Sequence, residues 1–202
     1  MSKQHVLNVE NKDKRKAKPS AAKARLLLTA AKLFNQKGYE RTTVRDIATA
    51  VGIQSGSIFH HFKTKEDILK AVMTETIIYN TKKMRTKILL ADTAKEEVLA
   101  LIYCELESII GDTGDAMAVL VYEWRSLSGD NQIDILKLRD DYESLWITSL
   151  NHAKEQGYLE GNVFILRRFL TGALSWSKTW FNTQGNISID ELANEALRLV
   201  IK

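Results

Sequence analysis

At 202 residues, with 45% apolar and 27% charged side chains, the chain is long enough to bury a real core and has the composition of a soluble globular protein. One proline and ten glycines leave little for β-turns or long loops, which predicts an all-α fold. No apolar run approaches a membrane span, the polar start lacks a signal-peptide core, and a single cysteine, Cys104, excludes an internal disulfide and a cysteine metal site, so the expected compartment is the cytoplasm.

The charge is unevenly spread. Residues 1–65 hold 14 Lys and Arg against four acids, a balance of +10, whereas the remainder holds 15 against 21, a balance of −6. A basic head on an acidic body places any nucleic-acid surface at the N-terminal end.

Residues 1–19 have no apolar period and carry Lys12, Lys14, Arg15, Lys16 and Lys18. They read either as a disordered basic arm that follows phosphates or enters a minor groove, or as a solubilising tail. A first helix is predicted from Ser20, with Leu26, Leu27, Ala30, Leu33 and Phe34 inward and Gly38 as its stop. The stretch from Thr42 to Lys65 then reads as a helix-turn-helix. Thr43 caps a helix in which Val44, Ile47, Ala48 and Val51 recur at helical spacing, and Gly52 closes it. A second short helix, capped by Gln54 or Ser55, turns Ile58, Phe59 and Phe62 inward and leaves Ser55, Gly56, Ser57, His60 and His61 outward. Short hydrogen-bonding side chains suit base edges and phosphates in a major groove.

Thr64 and Asp67 resemble a capping box for a long helix from Lys65 to about Leu90, striped by Leu69, Met73, Ile77 and Met84. Such a rod would be about 39 Å long and would link the basic head to the body. Lys63 and Lys65 stand at its N-terminus, where backbone N–H groups favour a phosphate. Further helices are expected near 94–110, 115–127, 131–156, 162–182 and 188–201. The last has two apolar faces, Leu192, Ala196, Leu199 and Ala193, Leu197, Val200, and so needs two surfaces to pack against. Gly172, Ala173 and Ser175 on the preceding helix allow another helix to come close, which predicts a homodimer through these last two helices.

With these residues in view, 20–70 resemble the DNA-binding domain of the tetracycline-repressor (TetR) family of bacterial regulators, in TTVRDIA, VGIQSGSIFHHF and KTKEDIL. The resemblance implies a homodimeric repressor on a pseudo-palindromic operator, organised as an arm (1–19), a DNA-binding domain (20–65) and an effector-binding and dimerisation domain (66–202). The DNA-contact set is Thr43, Arg45, Ser55, Gly56, Ser57, His60, His61, Lys63 and Lys65. Phe59 stands where many relatives carry Tyr. The stretches YEWRSLSG, LRDDYESLW, AKEQGYLEG and SKTWFNTQGNIS are similar to a subgroup that represses fatty-acid or sterol-ring degradation genes in response to acyl-CoA thioesters.

For the effector the candidate residues are Tyr103, Tyr122, Trp124, Arg125, Trp146, Arg168, Phe169, Trp176, Lys178 and Trp180, around an aromatic cavity. The resemblance implies that Arg125, Arg167, Arg168 or Lys178 meets the coenzyme phosphates. A lipophilic cation is the competing effector and would need Glu105, Glu107 or Glu123 as a buried acid. A helical ligand-binding adaptor without operator binding is the other class. His60 and His61 point about 100° apart on a helix with no third ligand nearby, so no metal is expected, and His152 reads as a surface residue. With no nucleophile elbow, phosphate loop or dinucleotide fingerprint, neither catalysis nor a cofactor is expected.

Overall fold

The computed structural model describes residues 21–202, so the basic arm and the expected helix start at Ser20 lie outside the described residues. Among the described residues there are nine α-helices and no strand: α1 (Ala21–Lys37), α2 (Val44–Val51), α3 (Ser55–Phe59), α4 (Lys65–Leu89), α5 (Ala94–Ile110), α6 (Gly114–Tyr122), α7 (Gly129–Glu155), α8 (Val163–Trp176) and α9 (Ile189–Arg198). Single 3-10 turns follow α6 at Trp124–Ser126 and α8 at Ser177–Thr179.

The helix starts follow local chemistry. Thr43, Thr64, Thr93 and Ser188 each form a reciprocal capping box with an acid three residues on. At Thr43 the Asp46 amide donates to Oγ1 at 3.1 Å and Asp46 Oδ2 accepts from the Thr43 amide at 2.8 Å. Each such cap is worth about 1 kcal/mol of helix stability. Gly52 takes φ 79°, and the amides of Gly52 and Ile53 both return to Ala48 O at 3.0 Å, which closes α2 and turns the chain into α3.

Four elements are shorter than their apolar period predicts, among them the last, expected over 188–201, which stops at Arg198. The helix expected over 115–127 stops at Tyr122 because Glu123 turns away to serve Tyr39 and Ser126. The one expected to reach 182 stops at Trp176, where Ser177 Oγ donates back to Leu174 O and Lys178 Nζ to Gly114 O. The second helix of the helix-turn-helix, α3, spans only Ser55–Phe59, which leaves His60 and His61 in the turn that follows.

Two apolar cores lie along α4. The first joins Leu26, Ala30 and Phe34 to Ile47, Ile58 and Phe62, as the sequence predicts, and then runs on through Leu69, Met73 and Ile77 to Val119 and Ile135. The second surrounds Met84, Leu101, Trp146, Leu150, Leu170 and Leu197. With 25 residues, α4 is about 38 Å long and belongs to both. Helix α1 packs on α6, α4 on α5 and α7, and α9 on α5. Cys104 is buried in the second core, and burial pushes its thiol up to about 11, which keeps it protonated and unreactive. No described helix is long and apolar enough to cross a membrane.

Candidate nucleic-acid interface

Capping at Thr43 and the Gly52 turn bring the start of α2 beside α3. Thr43, Val44, Arg45, Ser55 and Phe59 line a surface cleft of about 350 Å³ between them. Arg45, Gly56, Ser57, His60, His61 and Lys63 are all exposed around it, and Ser55 is half-buried at its edge. Nothing lies within 4 Å of where a Gly56 Cβ would stand, so the outer face of α3 is open to close approach. A short, small-residue helix flanked by guanidinium, imidazole and ammonium groups is the chemistry that meets phosphates and base edges.

Three residues differ from their expected roles. Phe59 was expected inward, yet it is 52% exposed and lines the cleft, because α3 is too short for both Phe59 and Phe62 to reach the core and Phe62 takes that place. Thr43 keeps its hydroxyl for Asp46, donating to Oδ2 at 2.8 Å, so it positions α2. Lys65 turns inward. Its ammonium donates to Tyr39 O at 2.8 Å and Glu40 O at 3.3 Å and lies 4.1 Å from the centre of the Tyr39 ring. A lysine so engaged braces the loop between α1 and α2, and Lys63 is left as the outward cation.

The head is tied to the body at several points. Glu123 Oε1 accepts the Tyr39 amide at 3.0 Å, and Asp115 Oδ1 accepts from Asn35 Nδ2 at 2.6 Å. Glu66, at the start of α4, accepts from Ser128 N at 2.7 Å and Asn131 Nδ2 at 2.6 Å. Those two donors, Asn131 first, hold the Glu66 carboxyl below its ordinary pKa. Lys70 pairs with Asp134 at 2.7 Å. Tyr39 went unnoticed in the sequence, because a single loop tyrosine carries no period or motif.

The candidate effector residues do not share one cavity. Trp146 is fully buried in the second core, its Nε1 donating to Glu105 Oε2 at 2.9 Å. Tyr103 is half-buried beneath Lys87, Trp124 is half-buried beneath Arg139, and Tyr122, at the end of α6, and Arg125, just beyond it, are exposed. Phe169, Ala173, Trp176 and Trp180 face outward, and with them Arg168, which lies over the Phe164 ring. Arg167 cannot meet a phosphate: it is 1% exposed and paired with Glu105 and Glu143. Lys178 spends its ammonium on Gly114 O. The acids proposed for a cation are also engaged: Glu105 accepts from Tyr142 and Trp146, Glu107 pairs with Lys83, and Glu123 serves Tyr39. His152 lies on α7 beside Glu97 with its side chain 43% exposed, as a surface residue. Among the described residues, no group of three or more metal-ligating side chains converges.

Comparison with known proteins fixes the family. The model for bacterial regulatory proteins of the tetR family matches residues 26–72, and that for the tetracyclin repressor-like C-terminal domain matches residues 92–202. The chain belongs to the TetR family. The TetR-family likeness extends to the HTH-type transcriptional repressor KstR2 of Mycolicibacterium smegmatis, 27% identical over 92% of this chain and 91% of that protein. The fatty acid metabolism regulator protein of Bacillus subtilis is 26% identical over 85% of this chain and 90% of its own. Among solved structures, the superantigen PfiT shares 62% identity and a TM-score of 0.78, over 92% of this chain and 99% of its own. TetR proteins are regulators, not enzymes, and their N-terminal module is the helix-turn-helix seen here.

Replacing Lys65 with Ala removes an internal brace. Urea unfolding of Lys65→Ala should show a loss of about 1–2 kcal/mol, with the slope of log DNA affinity against log salt unchanged. Lys63→Ala should lower that slope by about one and leave the unfolding midpoint in place.

Proposed function

We propose that the protein is a homodimeric, ligand-responsive transcriptional repressor of the cytoplasm. Residues 20–65 bind DNA and 66–202 bind an effector and the second subunit. The observation that carries this reading is the open cleft of Arg45, Ser55 and Phe59 within the basic head. Arg45, Gly56, Ser57, His60, His61 and Lys63 contact the operator, with Thr43 and Lys65 holding the elements that present them. Each subunit offers α3 to one half-site, and the half-sites lie about 34–36 Å apart.

The dimer reading is supported by an exposed apolar face at the end of the chain. On α8, Ile165, Phe169 (74% exposed) and Trp176 (66%) face outward beside the small residues Gly172 and Ala173, and Leu199, the residue that follows α9, is 90% exposed. The opposite side of α9, Ala193 and Leu197, is buried. A monomer seldom leaves so much aromatic surface on one helix, and a second copy of the same face covers it. Phe169→Glu should therefore yield monomers by light scattering, raise the dimer dissociation constant roughly thirtyfold or more, and weaken operator binding with it. A dimer that survives this change removes the assignment of the interface.

The effector we propose is a fatty acyl-CoA, in keeping with the relative named as a fatty acid metabolism regulator. Arg125 and Arg168, both exposed, remain as partners for its phosphates. A chain-length series of acyl-CoAs, run beside free acids and dye-like cations, tests this by thermal shift and operator release. Stabilisation follows RT ln(1 + [L]/Kd), about 2.7 kcal/mol at a ligand concentration of about 100 Kd. Acyl-CoAs should stabilise the protein and release DNA; release by cations alone sinks the proposal.

The 62% identity with a protein named a superantigen favours a second reading, that this chain also stimulates T cells. Proliferation of T cells exposed to endotoxin-free protein is the outcome that reading requires.

A further inference from the structure

The cleft between α2 and α3 carries two apolar side chains among its polar ones. Val44, the first residue of α2, is partly buried and packs against the first core, so it forms a fixed wall. Phe59, the last residue of α3, lines the same space and is 52% exposed, while Ile58 and Phe62 are buried in the core. Ser55 and Gly56 lie four and three residues before Phe59, so the three share one face of α3. Gly56 has no side chain and nothing stands within 4 Å of where one would begin, which leaves that face bare beside the ring.

The polar groups of the cleft have other tasks. Thr43 gives its hydroxyl hydrogen to Asp46 Oδ2 at 2.8 Å and accepts the Asp46 amide at 3.1 Å, so it has no proton to give a base. Arg45 is exposed and carries the charge that a phosphate requires. Phe59 can do neither, because a phenyl ring has no donor for a phosphate oxygen or a base edge. A ring held in solvent gains free energy when apolar surface covers it.

DNA limits what that surface can be. Among the groups that base pairs present in the major groove, the 5-methyl of thymine is the apolar one, and the rest are hydrogen-bond donors and acceptors. The cations around the cleft, Arg45 and Lys63, draw the phosphates to its rim, and the space of about 350 Å³ between Val44 and Phe59 is left for a base edge. We infer that Phe59, with Val44 behind it, reads the 5-methyl group of a thymine in each half-site, an inference that rests on the operator-binding reading above. Phe59 is thus a specificity-determining residue that favours thymine over cytosine at one base pair, while Arg45 and Lys63 set the position of α3.

The test uses DNA that differs by one methyl group. A duplex is selected from a randomised pool by the full-length protein, and each thymine of its half-sites is replaced in turn by deoxyuridine, which keeps the base pair and loses only the methyl. At one thymine the replacement should weaken binding about fourfold in one half-site and about fifteenfold in both, the worth of burying a methyl group. Phe59→Ser, a change at a side chain half in solvent, should bring that ratio to about one. With 5-iododeoxyuridine at the same position, irradiation of the wild-type complex should join the DNA to the peptide that contains Phe59, a result that needs no variant to fold. If no thymine shows the dependence, if the dependence survives in Phe59→Ser, or if the crosslink maps elsewhere, the inference is overturned while operator binding stands. If the pool yields no bound duplex, both fall together.

Discussion

The DNA-binding head is held in register by the contacts around Tyr39. Its amide donates to Glu123 at the end of α6, its carbonyl accepts from Lys65 at the start of α4, and its ring meets Phe34 edge-on at 5.3 Å and carries the Lys65 ammonium above it. Body and long helix therefore grip the loop that precedes α2 from two sides. The cleft of Arg45, Ser55 and Phe59 inherits its orientation from that grip, because Thr43 and the Gly52 turn fix α2 and α3 to the same loop. Glu66 adds a third tie, from the first turn of α4 to the start of α7.

Such ties explain how a body without DNA contacts can govern DNA binding. The first core runs unbroken from Leu26 through Ile77 to Ile135, so head and body share packed side chains across residue 65. Close-packed interiors do not deform smoothly, and a shift of α6 or α7 has to be answered by the head. An effector shifts the balance between two such arrangements only by its difference in affinity for them. In the proposed function the division at residue 65 is one of labour, with DNA contact on one side and effector and partner contact on the other. It is not a gap in the fold.

Local chemistry made much of this legible in the sequence. Thr43 and Thr64 carry their acids three residues on, Gly52 stands where a left-handed residue is needed, and Leu69, Met73, Ile77 and Met84 repeat at helical spacing. What stayed hidden depends on partners far along the chain. Lys65 sits in a basic head and reads as a phosphate ligand until Tyr39, 26 positions away, is seen to hold it. Phe59 has the same apolar character as Phe62, and only the brevity of α3 decides which of them is buried. Helix ends at Tyr122 and Trp176 are set by Glu123 and Lys178 reaching other elements, a cause that no apolar period records.

Arg167 and Arg168 show the limit of residue type as evidence. They are neighbours on one helix, and a turn of about 100° separates a side chain 1% exposed from one in solvent. The difference is made by Glu105, 62 residues away, and Glu143, 24 residues away, which together supply the acceptors that let a guanidinium leave water. A buried arginine matched by two carboxylates is expensive compared with an apolar side chain of similar size, so stability alone is a weak reason for its presence. Its forked geometry gives another reason. Three fixed donors hold the group against Glu105 and Glu143 and so tie α5, α7 and α8 together in one arrangement, which a flexible lysine could not achieve.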